Sequence, residues 1–280
     1  MTVGELLAEA AEVLPRREGL PDPGREARWL LARVLERSEA WLWAHPEEEV
    51  DATAADRFRA WVAERAAGQP AHYVVGTCPF WGRGFEVAPG VLIPRPETEL
   101  VVERILRLPL PRQPRVLDVG TGSGCLAVTL ALELPGASVT ATEISAAAIA
   151  VARANAIRLG GRVRFVLCDL ASPLAGEFDL VVANLPYVPA GQLAGLAPEL
   201  AWEPRLALVG GADGTELLQR LLCDLPRLVA AGGFVVLEHG EGQADLLAPL
   251  LPRLGLRELV RQRDISGRDR VLVVRREPSA

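Results

Sequence analysis

Lysine is missing altogether: the 30 basic residues of this 280-residue chain are all arginine. Schiff-base and other lysine-dependent covalent chemistry is therefore excluded, and a compositional bias of the source genome is the simplest cause. Histidine occurs only three times, and His45 and His72 stand isolated, as structural or surface residues do. The four cysteines, Cys78, Cys125, Cys168 and Cys223, are far apart, with no C-x-x-C and no histidine cluster beside them. That spacing argues against a structural zinc or a redox pair and predicts reduced, mostly buried thiols in a cytoplasmic protein; no metal site is expected. No apolar run approaches the length of a membrane span, and Thr2–Leu7 is amphipathic and acidic, unlike a signal peptide. The net charge of −6 argues against a protein held mainly on phosphates, so neither stable nucleic acid binding nor a membrane partner is expected.

What is present is enough apolar residue, half of the chain, for one large domain or two. Thr2 and Glu5 have the spacing of a capping box, and Leu6, Leu7, Ala10, Val13 and Leu14 follow at helical intervals until Pro15. A second helix is predicted over Arg25–Glu36, a short apolar turn at Trp41-Leu42-Trp43, and a third helix over Asp51–Ala67, closed by Gly68. This segment, residues 1–70, holds no group of side chains that could do chemistry, so packing or partner recognition is its expected role. From 71 to 97 glycine and proline break the chain into short β-type pieces, Tyr73–Val75, Phe85–Val87 and Val91–Ile93, read as a hairpin joining two domains. Pro96 and Glu97 then open a helix. Prolines explain the rigidity here; they do not explain Arg95 between two of them.

Residues 98–280 read as alternating strand and helix. Arg115–Val119 is a strand, followed by Gly120-Thr121-Gly122-Ser123-Gly124 and a helix to Leu134. Alternate glycines let a ligand approach the backbone, and the helix behind them offers free N–H groups. The spacing is G-x-G-x-G after Asp118, a pattern commoner in proteins that bind S-adenosylmethionine than in dehydrogenases. A second strand, Ser138–Thr142, ends in Glu143, where an acid would accept ribose hydroxyls. Ser145 caps a helix to Leu159. The strand Val163–Leu167 leads to Asp169 and Leu170, suited to the edge and face of an adenine. A helix over Gly214–Val229, a strand over Phe234–Glu238, and strands near Leu256–Arg263 and Arg270–Val274 complete the pattern. The last two read as a hairpin that places an antiparallel strand at the end of the sheet.

Between these elements lies Val181-Val182-Ala183-Asn184-Leu185-Pro186-Tyr187, a buried strand running into a rigid turn. Pro186 fixes its own φ and pushes Leu185 into an extended conformation. The Asn184 side-chain oxygen and the Leu185 carbonyl are then candidate paired acceptors for a planar –NH2 group at a strand's carboxyl end, where open α/β sheets bind ligands.

Ile93–Glu99, Asp118–Gly124, Glu143, Asn184–Tyr187, Glu238-His239-Gly240 and Asp264–Arg270 together resemble the N5-glutamine methyltransferases of bacterial peptide chain release factors, the PrmC or HemK family. The resemblance implies an α/β fold: a seven-stranded Rossmann-like class I methyltransferase domain, with a small N-terminal α-helical domain joined to it by a β-hairpin. It implies S-adenosylmethionine as cofactor, held by Gly120, Thr121, Gly122, Ser123, Gly124, Glu143, Leu170 and Asn184. It implies catalytic roles for Asn184, Pro186 and Tyr187, and glutamine binding by these, Leu185 and Arg95. Leu185 stands where the family has a first proline. The implied substrate is the glutamine of the Gly-Gly-Gln motif in a release factor, with the enzyme a monomer. Asn-Leu-Pro-Tyr is also similar to adenine dimethyltransferases of ribosomal RNA, so adenine-N6 methylation of RNA or DNA stays open. So do methylation of a ribosomal-protein glutamine and a non-catalytic cofactor-binding scaffold.

Overall fold

The computed structural model describes residues 1–16, 22–174, 176–195 and 197–277, so the predicted domain end at 280 lies outside them. The chain packs as two compact units, Met1–Thr77 with Ala197–Trp202, and Cys78–Leu196 with Glu203–Ala280.

The first unit is helical: α1 (Val3–Val13), α2 (Pro23–Val34), α3 (Glu39–Ala44), α4 (Ala52–Ala66) and α5 (Ala71–Val75). Side-chain caps start the first four. Thr2 and Glu5 form the predicted capping box, and Asp22, Ser38 and Asp51 each accept a backbone N–H of the first turn. Leu6, Leu30, Leu31, Leu42 and Phe58 form the core between them. The buried Arg65 guanidinium pairs with Glu26 and with Glu199, the latter brought in by Ala197–Trp202. Two expectations change here. Trp41–Trp43 is helical rather than a turn, and Tyr73–Val75 belongs to α5 rather than to a strand. Pro70 precedes α5 and left-handed Gly76 closes it, so the terminal signals outweigh the β preference of tyrosine and valine.

The second unit begins with β1 (Thr77–Phe80) and β2 (Arg83–Glu86), joined by Trp81 and Gly82 at φ 50° and 69°. Two positive-φ residues make a turn whose twist suits a tight hairpin. The hairpin lies within the predicted segment 71–97, and Phe85 and Glu86 are in a strand as expected. Val91–Ile93 is not a strand, and the Val91 N–H instead closes a turn on the Ala88 carbonyl. Next come α6 (Glu99–Ile105), β3 (Arg115–Val119), α7 (Cys125–Glu133), β4 (Ser138–Glu143), α8 (Ala146–Leu159), β5 (Val163–Leu167) and β6 (Phe178–Ala183). β7 (Val188–Pro189), β8 (Val209–Gly211), α9 (Glu216–Leu228), β9 (Val229–Glu238), α10 (Gln243–Leu247), β10 (Leu256–Arg263) and β11 (Asp269–Arg276) complete it.

Seven of the strands form one sheet in the order β10-β11-β9-β6-β3-β4-β5, with β9 through β5 mutually parallel. β11 runs antiparallel to both its neighbours, so the antiparallel strand sits one place in from the edge, not at the end. Burial decides this. Leu272 and Val274 face one core and Val271 and Val273 the other, whereas β10 is mostly half-exposed. The strands are apolar on both faces, as parallel sheets require. One face packs on α9 through Leu218, Leu221, Leu222, Leu225 and Leu228. The other packs on α6, α7 and the hairpin's Phe80 and Phe85.

Register fixes the site. Val166, Thr142, Val119, Ala183 and Leu237 lie side by side across β5-β4-β3-β6-β9. The next residue on four of these strands is Glu143, Gly120, Asn184 or Glu238, so all four emerge at the same carboxyl edge. Among the described residues no helix is long and apolar enough to cross a membrane, and no cluster could hold a metal ion.

Candidate active site

Gly120, Gly122 and Gly124 adopt φ values of 76°, 55° and 81°, a left-handed run that only glycine enters without strain. A Cβ on Gly120 would stand 2.8 Å from Leu185 Cδ2, while one on Gly122 would meet nothing, because that side opens into a cavity. Side-chain ties help to hold the loop. The buried Thr121 hydroxyl donates to Asp118 Oδ2 (2.6 Å), and Asn155 on α8 donates to the Ser123 carbonyl (2.9 Å). Asn155 also accepts the Glu86 N–H (2.7 Å) and donates to the Glu86 carbonyl (3.0 Å), so one side chain joins the hairpin to the loop.

Glu143 lines the cavity and accepts three backbone N–H groups, from Gly122, Ile144 and Ser145, each at 2.9 Å. A carboxylate offers about four acceptor sites, so one remains, and binding both hydroxyls of a ribose requires release of a backbone partner. Beyond β5, Leu170 lines the cavity at φ 49° and packs on the core beneath α9. Asp169 is engaged by Arg220 of α9 at 2.6 Å.

Across the cavity, the Asn184 Nδ2 donates to Thr98 Oγ1 at 2.9 Å, and Thr98 donates to Glu238 Oε2 at 2.7 Å. The Tyr187 hydroxyl donates to the other Glu238 oxygen at 3.4 Å. Glu238 is fully buried. Burial raises its pKa to about 7, against the hydrogen bond from Thr98 and the positive charge of Arg270. Burial, followed by the charge of Glu238, also pushes the Tyr187 phenol up. Gly210 and Gly214 pack directly on the backbone of Pro186 and Tyr187, where a Cβ would collide, and Gln243 donates to the Tyr187 carbonyl at 2.8 Å. The turn is thus clamped from behind. Leu185 is buried in the core beneath α9, so its side chain anchors the turn, and the residue also lines the cavity.

The sequence of this chain matches the PrmC N-terminal domain family over residues 5–76 and the methyltransferase small domain family over residues 97–201. It is 46% identical over 259 residues to a release factor glutamine methyltransferase of Bordetella pertussis, covering 90% of this chain and 96% of the relative. A protein of the same description from Moorella thermoacetica is 41% identical and covered along its full length, 100%, by 99% of this chain. The chain belongs to the release factor glutamine methyltransferases. Among solved structures, a methyltransferase from Pyrococcus furiosus superposes with a TM-score of 0.55 at 21% identity, covering 78% of this chain and 98% of that one, a likeness of fold.

Of the residues singled out in this release factor glutamine methyltransferase, Gly120, Thr121, Gly122, Ser123, Glu143, Leu170, Asn184, Leu185, Pro186 and Arg95 line one cavity. Gly124 and Tyr187 do not. Gly124 caps α7 and faces Ala152, and Tyr187 lies behind Asn184 with its hydroxyl on Glu238. Arg95 pairs with the buried Glu203 at 2.5 Å, and Glu203 also accepts the Ile93 N–H. Sequence reasoning gave no role to Thr98, Glu203, Glu238, Asn155, Gly210, Gly214 or Gln243. The Gly-Gly-Ala-Asp-Gly run at 210–214 was the one local signal available for the clamp.

Proposed function

We propose that this enzyme transfers a methyl group from S-adenosylmethionine to the side-chain nitrogen of the glutamine in the Gly-Gly-Gln motif of a peptide chain release factor. The observation that carries the reading is the Asn184 amide, set at the carboxyl end of β6 on the same cavity as the glycine loop and Glu143. In this reading Gly120, Gly122 and Glu143 hold the cofactor's amino acid and ribose, and Leu170 packs on its purine. Bound there, S-adenosylmethionine supplies an activated methyl group. The relatives named for this activity support the choice of substrate.

A carboxamide nitrogen is a poor nucleophile because its lone pair is delocalised into the carbonyl. The side-chain oxygen of Asn184 and the Leu185 carbonyl each accept one glutamine N–H, which orients the nitrogen and stabilises positive charge developing on it. The methylated nitrogen is strongly acidic and loses its proton without a dedicated base. Arg95, held by Glu203, orders the wall of the cavity. Pro186, clamped by Gly210, keeps the two acceptors in place.

The test is labelled-methyl transfer to purified release factor, with its Gly-Gly-Gln loop intact or carrying Gln→Asn, and with ribosomal RNA as a parallel acceptor. Label is expected only on the intact release factor. Label on RNA, or undiminished label on the Gln→Asn protein, overturns the reading.

A further inference from the structure

We infer that Thr98 is a positioning residue that fixes which way round the Asn184 amide sits, by a one-way chain of hydrogen bonds ending at Glu238. The inference deepens the proposed function and rests on it for the identity of the methyl acceptor. A threonine hydroxyl carries a single proton. Thr98, almost wholly buried, stands 2.7 Å from Glu238 Oε2 and 2.9 Å from the Asn184 amide. Above about pH 7, where Glu238 is ionised, its carboxylate can only accept, so the Thr98 proton goes to Glu238 and only lone pairs face Asn184. The atom of Asn184 nearest Thr98 must then be a donor, Nδ2. The reverse arrangement would bring two acceptor oxygens together without a proton between them, a costly state away from water. With Nδ2 committed to Thr98, Oδ1 is the atom left for a substrate N–H. A freely rotating amide would spend part of its time presenting its own NH2 to that N–H, donor against donor.

The backbone around Thr98 is built to hold it. It ends the short 3-10 turn Pro96–Thr98 between a rigid Pro-Arg-Pro and α6, and its N–H bonds to the Arg95 carbonyl at 3.1 Å. Arg95 and Glu99 on either side tie this segment to Glu203 and to the Trp81 N–H of the hairpin turn.

The test uses the full chain with Thr98→Val, which keeps the shape, Thr98→Ala, and Thr98→Ser, which restores the hydroxyl, assayed above the pH at which Glu238 ionises, about 7. Loss of one such bond is expected to lower kcat about tenfold to a hundredfold in the Val and Ala variants. Thr98→Ser should recover to within about threefold of wild type, and affinity for S-adenosylhomocysteine should stay within about twofold in all three. In an Asn184→Ala background Thr98→Val should cost nothing more, because the two act as one unit. Independently of any methyl acceptor, NMR of asparagine-15N enzyme with S-adenosylhomocysteine should show slow exchange of the Asn184 carboxamide protons. That protection should be lost in Thr98→Val and kept in Thr98→Ser. A Val variant at wild-type kcat, an undiminished loss in the Asn184→Ala background, or unchanged proton exchange overturns the inference. A wild type that methylates no release factor overturns the proposed function instead, and the exchange measurement still decides the role of Thr98.

Discussion

In the proposed function Asn184 and Leu185 divide the work of the turn between a side chain and a backbone. In the proposed reading Asn184→Ala removes one acceptor for the substrate amide, and loss of one preorganised group of this kind is expected to lower kcat by about 10²–10³. Cofactor affinity, measured calorimetrically with S-adenosylhomocysteine, should change by no more than about threefold, since the glycine loop and Glu143 are untouched. Activity near wild type would sink the acceptor role. Leu185→Pro tests the other half. The backbone carbonyl survives, while a side chain 3% exposed and packed on Gly120 is lost. The expected outcome is a stability loss of about 1–2 kcal/mol by denaturant titration, with kcat within about threefold. A collapse of kcat with stability intact would mean that the leucine side chain itself serves the reaction. Asn184 could be singled out in the sequence, and placed on the cavity, because strand, asparagine and proline are contiguous. Its partners could not, for Thr98 lies 86 residues away from it and Glu238 lies 140 away from Thr98. Nothing local marks a buried threonine as the holder of a distant amide.

Among the elements, the hairpin shows how a boundary can be misplaced while its existence is clear. Glycine and proline punctuation predicted a hairpin, and of the three β-type pieces Phe85–Val87 overlaps a strand while Tyr73–Val75 and Val91–Ile93 do not. Tyr73–Val75 is helical because Pro70 and Gly76 bracket one short turn, and the true strands contain Pro79 and Gly84, which propensity disfavours. Phe80 and Phe85, edge to face at 5.9 Å, set the hairpin instead by packing on the sheet. Asn155 then couples it to the glycine loop. Asn155→Leu removes four hydrogen bonds from a fully buried site and should cost about 2–4 kcal/mol in a denaturant titration. S-adenosylhomocysteine should also bind several-fold more weakly, because Ser123 loses the tie that fixes its carbonyl. An unchanged binding constant in a destabilised variant would show that the loop keeps its shape without the hairpin.

For the molecule as a whole, the alternation of strand and helix from Arg115 onward was enough to read the elements of the parallel half of the sheet, but not their order in it. The insertion of β11 between β10 and β9 was not legible, since a hairpin in sequence does not say which arm enters the sheet; the evenly apolar Val271–Val274 decides it. The same sheet buries two carboxyls, and that has a consequence for stability against pH. Burial raises Asp118 from 3.8 to about 7 and Glu238 from 4.5 to about 7, in each case against hydrogen bonds that favour the charge. Between roughly pH 4 and 7 the folded state therefore holds protons that the unfolded chain has released. Stability should fall as pH rises through that window and level off above it, by up to a few kcal/mol for the pair. His239 opposes this, because burial lowers its pKa, and an unfolded histidine gains a proton below about 6.5 that the folded one resists. Asp264 and Asp213, held below 3.8 by hydrogen bonds, add stability that is lost only at lower pH still, outside the window. Two raised acids against one depressed base should lower the thermal midpoint between about pH 5.5 and 7.5 by several degrees. Glu238→Gln and Asp118→Asn, which cannot ionise, should each flatten that slope. A midpoint that climbs across this interval, or variants that keep the full wild-type slope, would show that these two carboxyls are already ionised in the folded enzyme at pH 5.5.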